Sequence, residues 1–239
     1  MFVDQSAFEV RCEWGEAGLR FLAPLADAVV IVDVLSFSTC VDVAVARGAM
    51  VLPYRWRDDS AVAFAQQQGA LLASWERRLA DGYSLSPSSL RSVPVGERVV
   101  LPSPNGATLC VAAAELGVSV YVACLRNAGA VGAHLRGVKR VLVVPAGERW
   151  PDGTLRPALE DWIGAGAVID ALGGRSSPEA EAAAQAFRAA RPDLARLGAG
   201  CSSGRELIER GFGADVDLAL QMNVSPAVPM LKRVALTSA

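Results

Sequence analysis

Apolar residues recur along this chain in short unbroken runs, each followed by small or polar residues and then by a stretch with helical spacing. Four runs stand out, at residues 28–32, 99–101, 118–123 and 140–144, and all are rich in Val. Runs this short, continuous and β-branched read as strands buried on both faces. Shorter apolar runs at 50–53 and 70–74 read as further strands. Ala-rich helical patterns cover 39–47, 60–68, 108–116, 128–135, 159–172 and 179–190. Ser60 and Thr108 supply cap or first-turn hydroxyls, while Gly48, Gly69, Gly117 and Gly173 stand just past helix ends. The alternation predicts an α/β fold with a largely parallel or mixed sheet and helices on both faces, a three-layer arrangement.

Residues 81–102 are rich in Ser, Pro and Gly and read as an irregular surface connection, a candidate lid or substrate loop. Residues 148–157 read as a hairpin or loop between a strand and a helix. The chain 1–239 is expected to form one α/β domain, with a subdomain boundary available near 145–160. An acidic residue precedes an Ala/Val-rich helix in both 33–49 and 160–172, an echo that leaves room for two similar subdomains.

Charge and cysteine usage narrow the chemistry. The 23 basic and 25 acidic residues nearly cancel, so no positive field favours nucleic acid and no basic amphipathic stretch favours a membrane. Small-molecule partners are expected, and apolar helix faces would suit a homodimer. The first residues, Met1-Phe-Val-Asp-Gln, carry no basic stretch followed by an apolar run, so a cytoplasmic location is expected. The five cysteines are odd in number and lack any Cys-x-x-Cys spacing, which argues for buried apolar thiols over disulfides or zinc. His134 is the single histidine and falls in a helical pattern, so it reads as a surface residue. Catalysis would then rest on carboxylates, hydroxyls, Asn, Arg and a metal.

In an open α/β sheet, ligands bind beyond the carboxyl ends of the strands. The residues after the apolar runs are Asp33 with Ser36, Ser38 and Thr39, then Ser103 with Asn105, Gly106 and Thr108, then Arg126 with Asn127, then Gly147 with Glu148. The turn from Ser103 to Thr108 reads either as an ordinary β-to-α turn or as an anion cradle at a helix start. Asp33 reads either as a Mg²⁺ ligand or as a helix cap. Glu160 and Asp161 open a helix, where they complement its dipole or join Asp33 around a metal. Arg205 lies in the first turn of a helix that Ser203 is expected to cap beside Gly204, so its charge calls for an anionic partner, either ligand or carboxylate.

Taken in order, these segments resemble the 2-phosphosulfolactate phosphatase family, magnesium-dependent hydrolases known from coenzyme M biosynthesis. The resemblance is carried by Val32-Asp-Val-Leu-Ser-Phe-Ser-Thr39, Ser103-Pro-Asn-Gly-Ala-Thr-Leu109, Asn127-Ala128, Ala146-Gly147, Leu159-Glu-Asp161 with Gly164-Ala-Gly-Ala167, and Ser203-Gly-Arg-Glu-Leu207. It implies Mg²⁺-dependent hydrolysis of a phosphate monoester on a small carboxylated and sulfonated hydroxy acid, giving sulfolactate and phosphate. Many relatives carry Arg where this chain has Ser36, and Ser cannot replace a bidentate guanidinium. Arg126, Arg205, Arg77 or Arg78 would then supply the missing charge.

On this reading Asp33, Glu160 and Asp161 hold the metal, and Glu148 is the base that orients the water. Asn105, Gly106, Thr108 and Arg205 bind the phosphoryl oxygens, and Ser36, Ser38, Thr39, Ser103, Asn127, Ser203 and Gly204 complete the substrate site. The competing reading is a non-catalytic binding protein for a small phosphorylated or sulfonated acid.

Overall fold

A computed structural model describes residues 3–77 and 82–239. In chain order the strands and α-helices are β1 (Val10–Cys12), α1 (Gly15–Leu22), β2 (Ala28–Val32), α2 (Phe37–Ala46), β3 (Met50–Tyr54), α3 (Asp59–Gln68), β4 (Leu71–Leu72), β5 (Arg98–Pro102), α4 (Gly106–Glu115), β6 (Ser119–Ala123), α5 (Ala128–Leu135) and β7 (Val141–Pro145). The hairpin β8 (Glu148–Arg149) and β9 (Leu155–Arg156) follows, then α6 (Leu159–Leu172), α7 (Pro178–Ala190), α8 (Leu194–Gly200), α9 (Ser202–Glu209), α10 (Gly213–Ala219), β10 (Pro229–Lys232) and β11 (Ala235–Ser238).

The nine-stranded sheet has the order β1-β7-β2-β6-β10-β11-β3-β5-β4. Strands β1, β7, β2 and β6 form one parallel block, and β3, β5 and β4 another. The antiparallel hairpin β10–β11 joins them, pairing antiparallel with β6 through Met230 and Tyr121 and with β3 through Leu236 and Val51. The sheet is therefore mixed, and the C-terminal hairpin that makes it so carries no strand expectation in the sequence pattern.

Residue alternation along the strands explains the layers. In β2, Ala28, Val30 and Val32 pack toward one cluster with residues of α5, α6 and α7. Val29 and Ile31 face the opposite cluster with α1, α2 and α4, which also takes Val51 of β3 and Val99 and Leu101 of β5. Leu52 and Val100 turn away toward Ala65 of α3. Helices α2 and α4 thus share a core with both blocks, and each connects one block to the other.

That sharing positions the functional residues. Five strand spacings separate β2 from β5 in the sheet order, roughly 24 Å in a flat sheet. Yet Asp33, one residue past β2, accepts a hydrogen bond from the Gly106 amide, four residues past β5, at 2.9 Å. The sheet must bend and twist across the β10–β11 hairpin, and the carboxyl ends of β2 and β5 meet around α2 and α4.

The expected strands and helices are present, with ends moved by at most two residues. Gly48, Gly69, Gly117 and Gly173 all have positive φ just past their helices. Asp58, rather than Ser60, caps α3 by accepting from the Ser60 amide. Much of the loop expected at 81–102 is ordered: Pro87–Ser92 is a 3-10 helix and Arg98–Pro102 is β5. Residue 81 lies outside the described residues. The stretch 145–160 holds the β8–β9 hairpin. His134 is exposed and all five cysteines are buried and free. Among the described residues, no helix is long and apolar enough to cross a membrane.

Candidate active site

A polar cleft of about 340 Å³ opens beyond the carboxyl ends of β2, β5 and β7. That volume suits a small ligand. Asp33 and Ser36 come from the turn after β2, Ser103, Pro104 and Asn105 from the turn after β5, and Glu148 from the turn after β7. Arg57 arrives from beyond β3, Arg77 from beyond β4, Arg149 and Arg156 from the hairpin, and Glu206 and Arg210 from α9 and its C-terminal end.

Asp33 is buried at the base of this cleft. Its Oδ1 accepts from the Phe37 amide at the start of α2, and its Oδ2 accepts from the Gly106 amide at the start of α4. One carboxylate thereby satisfies the first amides of two helices, where both dipoles favour negative charge. Gly106 is needed for this approach, because a Cβ there would overlap the Phe37 ring and lie 2.8 Å from Asp33 Oδ2. Burial nevertheless pushes the Asp33 carboxyl up to about 6, with the charge of Glu160 adding to the effect and the two amides and Arg77 opposing it.

Glu148 Oε2 accepts from Asn105 Nδ2 at 2.9 Å. Burial first, then the Asp33 charge, raises the Glu148 carboxyl to about 7, against the pull of Asn105 and Arg156. A carboxylate poised near neutrality, oriented by an amide and facing a cleft, has the properties of a general base.

The other expected site residues divide sharply. Ser36 lines the cleft, and its Oγ accepts from Arg77 at 3.0 Å. Ser103 lines it too, with its Oγ accepting from the Asn105 amide. Thr108 faces the smaller neighbouring pocket beside Trp14, which shares Asn105 and Glu148 with the cleft. Ser38 and Thr39 instead serve the turn: Ser38 Oγ accepts from the Asp33 amide, and Thr39 Oγ1 donates to the Val34 carbonyl. The Gly106 amide is spent on Asp33, so it is not free to cradle a ligand.

Several expectations need correction. Asn127 is fully buried away from the cleft, where its Oδ1 accepts from the Cys124 amide and its Nδ2 donates to the Ala227 carbonyl. Arg205 points to solvent with its side chain 69% exposed, next to Glu209 at 3.5 Å. Its i,i+4 neighbour answers the dipole argument without a ligand. Cys201, not Ser203, caps α9, its Sγ accepting from the Gly204 amide. Ser203 Oγ accepts from Arg156, and Gly204 packs against the Gly198 carbonyl, so neither lines the cleft.

The expected metal set is not gathered either. Asp161 spends Oδ1 on the Val34 amide at 2.7 Å and Oδ2 on the Gly147 amide at 2.9 Å, so it ties the turns after β2 and β7 together. Glu160 is buried beside the Cys201 thiol, which donates to it at 3.3 Å. Among the described residues, no three carboxylate, His or Cys side chains are arranged to cage a metal ion. Of the expected metal residues Asp33 lines the cleft, and Glu148, the expected base, lines it too.

Of the arginines considered as replacements at Ser36, Arg126 is bound to Asp42 at 2.8 Å and Arg78 lies outside the described residues. Of those among the described residues, Arg77 is the one that lines the cleft. Arg57, Arg149, Arg156 and Arg210 were not anticipated. Arg57 follows the apolar run at 50–53, so the strand-end rule applied to that run would have found it.

Fold and cleft together define an α/β protein with a polar cleft beyond its strand ends, lined by carboxylates and arginines. The family model described as 2-phosphosulpholactate phosphatase matches residues 21–234. A Thermus thermophilus protein named "probable 2-phosphosulfolactate phosphatase" is 30% identical over 86% of this chain and 88% of its own length. Proteins of the same name from Gloeobacter violaceus and Deinococcus radiodurans are each 28% identical, covering 85% and 86% of this chain and 87% and 88% of their own lengths. The chain belongs to the 2-phosphosulpholactate phosphatase family.

Proposed function

We propose that the cleft hydrolyses the phosphate monoester of a small acidic alcohol, 2-phosphosulfolactate or a close relative, with Mg²⁺ as cofactor. The observation that carries this reading is the convergence of Asp33, the Asn105–Glu148 pair and five arginines on one cleft. The arginines match a multiply anionic substrate. A reaction with water then needs a base, and Glu148 is held near neutrality for that role.

Asp33 would hold Mg²⁺, because it lines the cleft, unlike Asp161, and each of its oxygens keeps a lone pair beyond its amide; the ion takes one or two protein carboxylates and completes its shell with water and substrate oxygens. Burial raises Glu148 first, and the added repulsion from Asp33 is the part a cation would relieve. Bound there, the ion would polarise the phosphoryl group and lower the pKa of a coordinated water. In the hydrolysis, Glu148 accepts a proton from the attacking water while Asn105 fixes the carboxylate. The water oxygen bonds to phosphorus, the ester P–O bond breaks, and the hydroxy acid leaves and takes up a proton. The arginines hold the non-reacting oxygens in place. Five buried free thiols support a reducing, cytoplasmic setting.

The test is phosphate release from 2-phosphosulfolactate and a panel of phosphorylated hydroxy acids, with Mg²⁺ and with EDTA. Turnover that vanishes in EDTA and returns with Mg²⁺ is expected. Thermal stabilisation by the ester without phosphate release would replace this reading with that of a binding protein.

A further inference from the structure

Asp33, Glu148 and Asn105 line the cleft from the turns after β2, β7 and β5, while Arg57 and Arg77 enter it from beyond β3 and β4. Arg77 is held unusually firmly for a loop arginine, with its side chain only 11% exposed. One nitrogen donates to Ser36 Oγ at 3.0 Å and another approaches Asp215 Oδ2 at 3.4 Å, while the guanidinium lies 5.8 Å from the centre of the Phe212 ring. Asp215 is buried and also accepts from Ser86 Oγ and the Ser88 amide, so it pins the same loop at a second place. Burial, and then the like charge of Arg77, hold the Arg57 guanidinium below its usual range, against the attraction of Glu148 and Asp33.

From this arrangement, and resting on the phosphatase reading, we infer that Arg77, with Arg57 beside it, forms the subsite for the second acidic group of the substrate, a carboxylate or sulfonate. Asp215 and Ser36 are positioning residues that aim Arg77. The phosphate lies toward Asp33 and Glu148, and the arginine pair selects esters whose alcohol carries an acid. Ser36 is then part of the selection: it leaves room for a guanidinium arriving from the loop and supplies its acceptor.

The experiment compares ethyl phosphate with phosphoglycolate, which adds a carboxylate, and with the phosphate ester of 2-hydroxyethanesulfonate, which adds a sulfonate. In Arg77→Gln, kcat/KM for at least one acid-bearing ester should fall at least tenfold more than kcat/KM for ethyl phosphate. Comparing the two acid-bearing esters shows which group the subsite prefers. Asp215→Asn should raise KM for the same ester with a smaller change in kcat. Arg205→Gln, on the exposed face of α9, serves as the control with unchanged preference. An equal loss on all three esters, or no loss, overturns the inference. Should the wild-type protein hydrolyse none of them and release no phosphate from 2-phosphosulfolactate either, the phosphatase reading fails separately. The subsite is then judged by calorimetry with glycolate and 2-hydroxyethanesulfonate, where binding that Arg77→Gln does not weaken, or no binding at all, overturns it.

Discussion

Asp33 and Gly106, 73 residues apart in sequence, are joined by a 2.9 Å hydrogen bond in which the first amide of α4 donates to a carboxylate from the end of β2. With the Phe37 amide on its other oxygen, Asp33 fastens two helix starts and the two parallel blocks of the sheet at one point. The reactive end of the cleft is thus also a structural joint.

Replacing Asp33 should expose both roles. Asp33→Ala leaves two buried amides without acceptors, each costing about 1–3 kcal/mol, so the urea midpoint should drop clearly while activity falls by about 10² or more. Glu148→Gln keeps an oxygen for Asn105 and should lose comparable activity with little loss of stability. Unfolding curves and kcat/KM on both variants check the contrast; equal destabilisation would remove the distinction between joint and base.

The pH dependence of stability follows from the raised carboxyls. A folded pKa above the unfolded value stabilises most below the unfolded pKa, and that contribution is lost as pH rises through the folded pKa. For Asp33 and Glu148 the window runs from about 4 to about 7. In metal-free buffer, wild-type Tm should therefore fall more between pH 5 and pH 8 than that of Glu148→Gln. Identical slopes in the two melting series would show that Glu148 is not held protonated by its surroundings.

Activity should follow the opposite limb, since a base must be ionised. Without a strongly bound cation to lower it, the rising limb of kcat/KM should have an apparent pKa near 7, and added Mg²⁺ should move it toward acid. A rate profile flat from pH 5 to pH 8 at low Mg²⁺ would exclude Glu148 as the base.

Asp161→Ala tests the corrected role of that carboxylate. Its oxygens hold the Val34 and Gly147 amides, so the substitution should cost several kcal/mol of stability by equilibrium denaturation. Where the folded variant can be assayed, its Mg²⁺ requirement should match wild type. A stable variant needing far more Mg²⁺ would return Asp161 to the metal.

Arg205→Lys should leave kcat/KM within twofold and Tm within about 2 °C, because the side chain lies in solvent beside Glu209. A tenfold loss of catalytic efficiency would contradict its placement outside the cleft.

What the amino-acid order determined by itself is the part written in local periodicity. The Val-rich run of β2 and the Ala-rich turns of α5 and α6 identify their elements because burial on both faces, or on one helical stripe, leaves a repeat within a few residues. Asp33, Ser103, Asn105 and Glu148 were legible as cleft residues because strand ends mark where an α/β sheet binds. The remaining choices depended on contacts that leave no local trace. Whether Asp161 meets a metal or two amides depends on a turn 127 residues away, and Arg77 reaches Ser36 across 41 residues. The β10–β11 hairpin, far along the chain from both β6 and β3, is what joins the block of β2 to the block of β5. Only the packed tertiary structure decides these, because each polar group takes the partner that burial leaves within reach, and sequence spacing does not encode that distance.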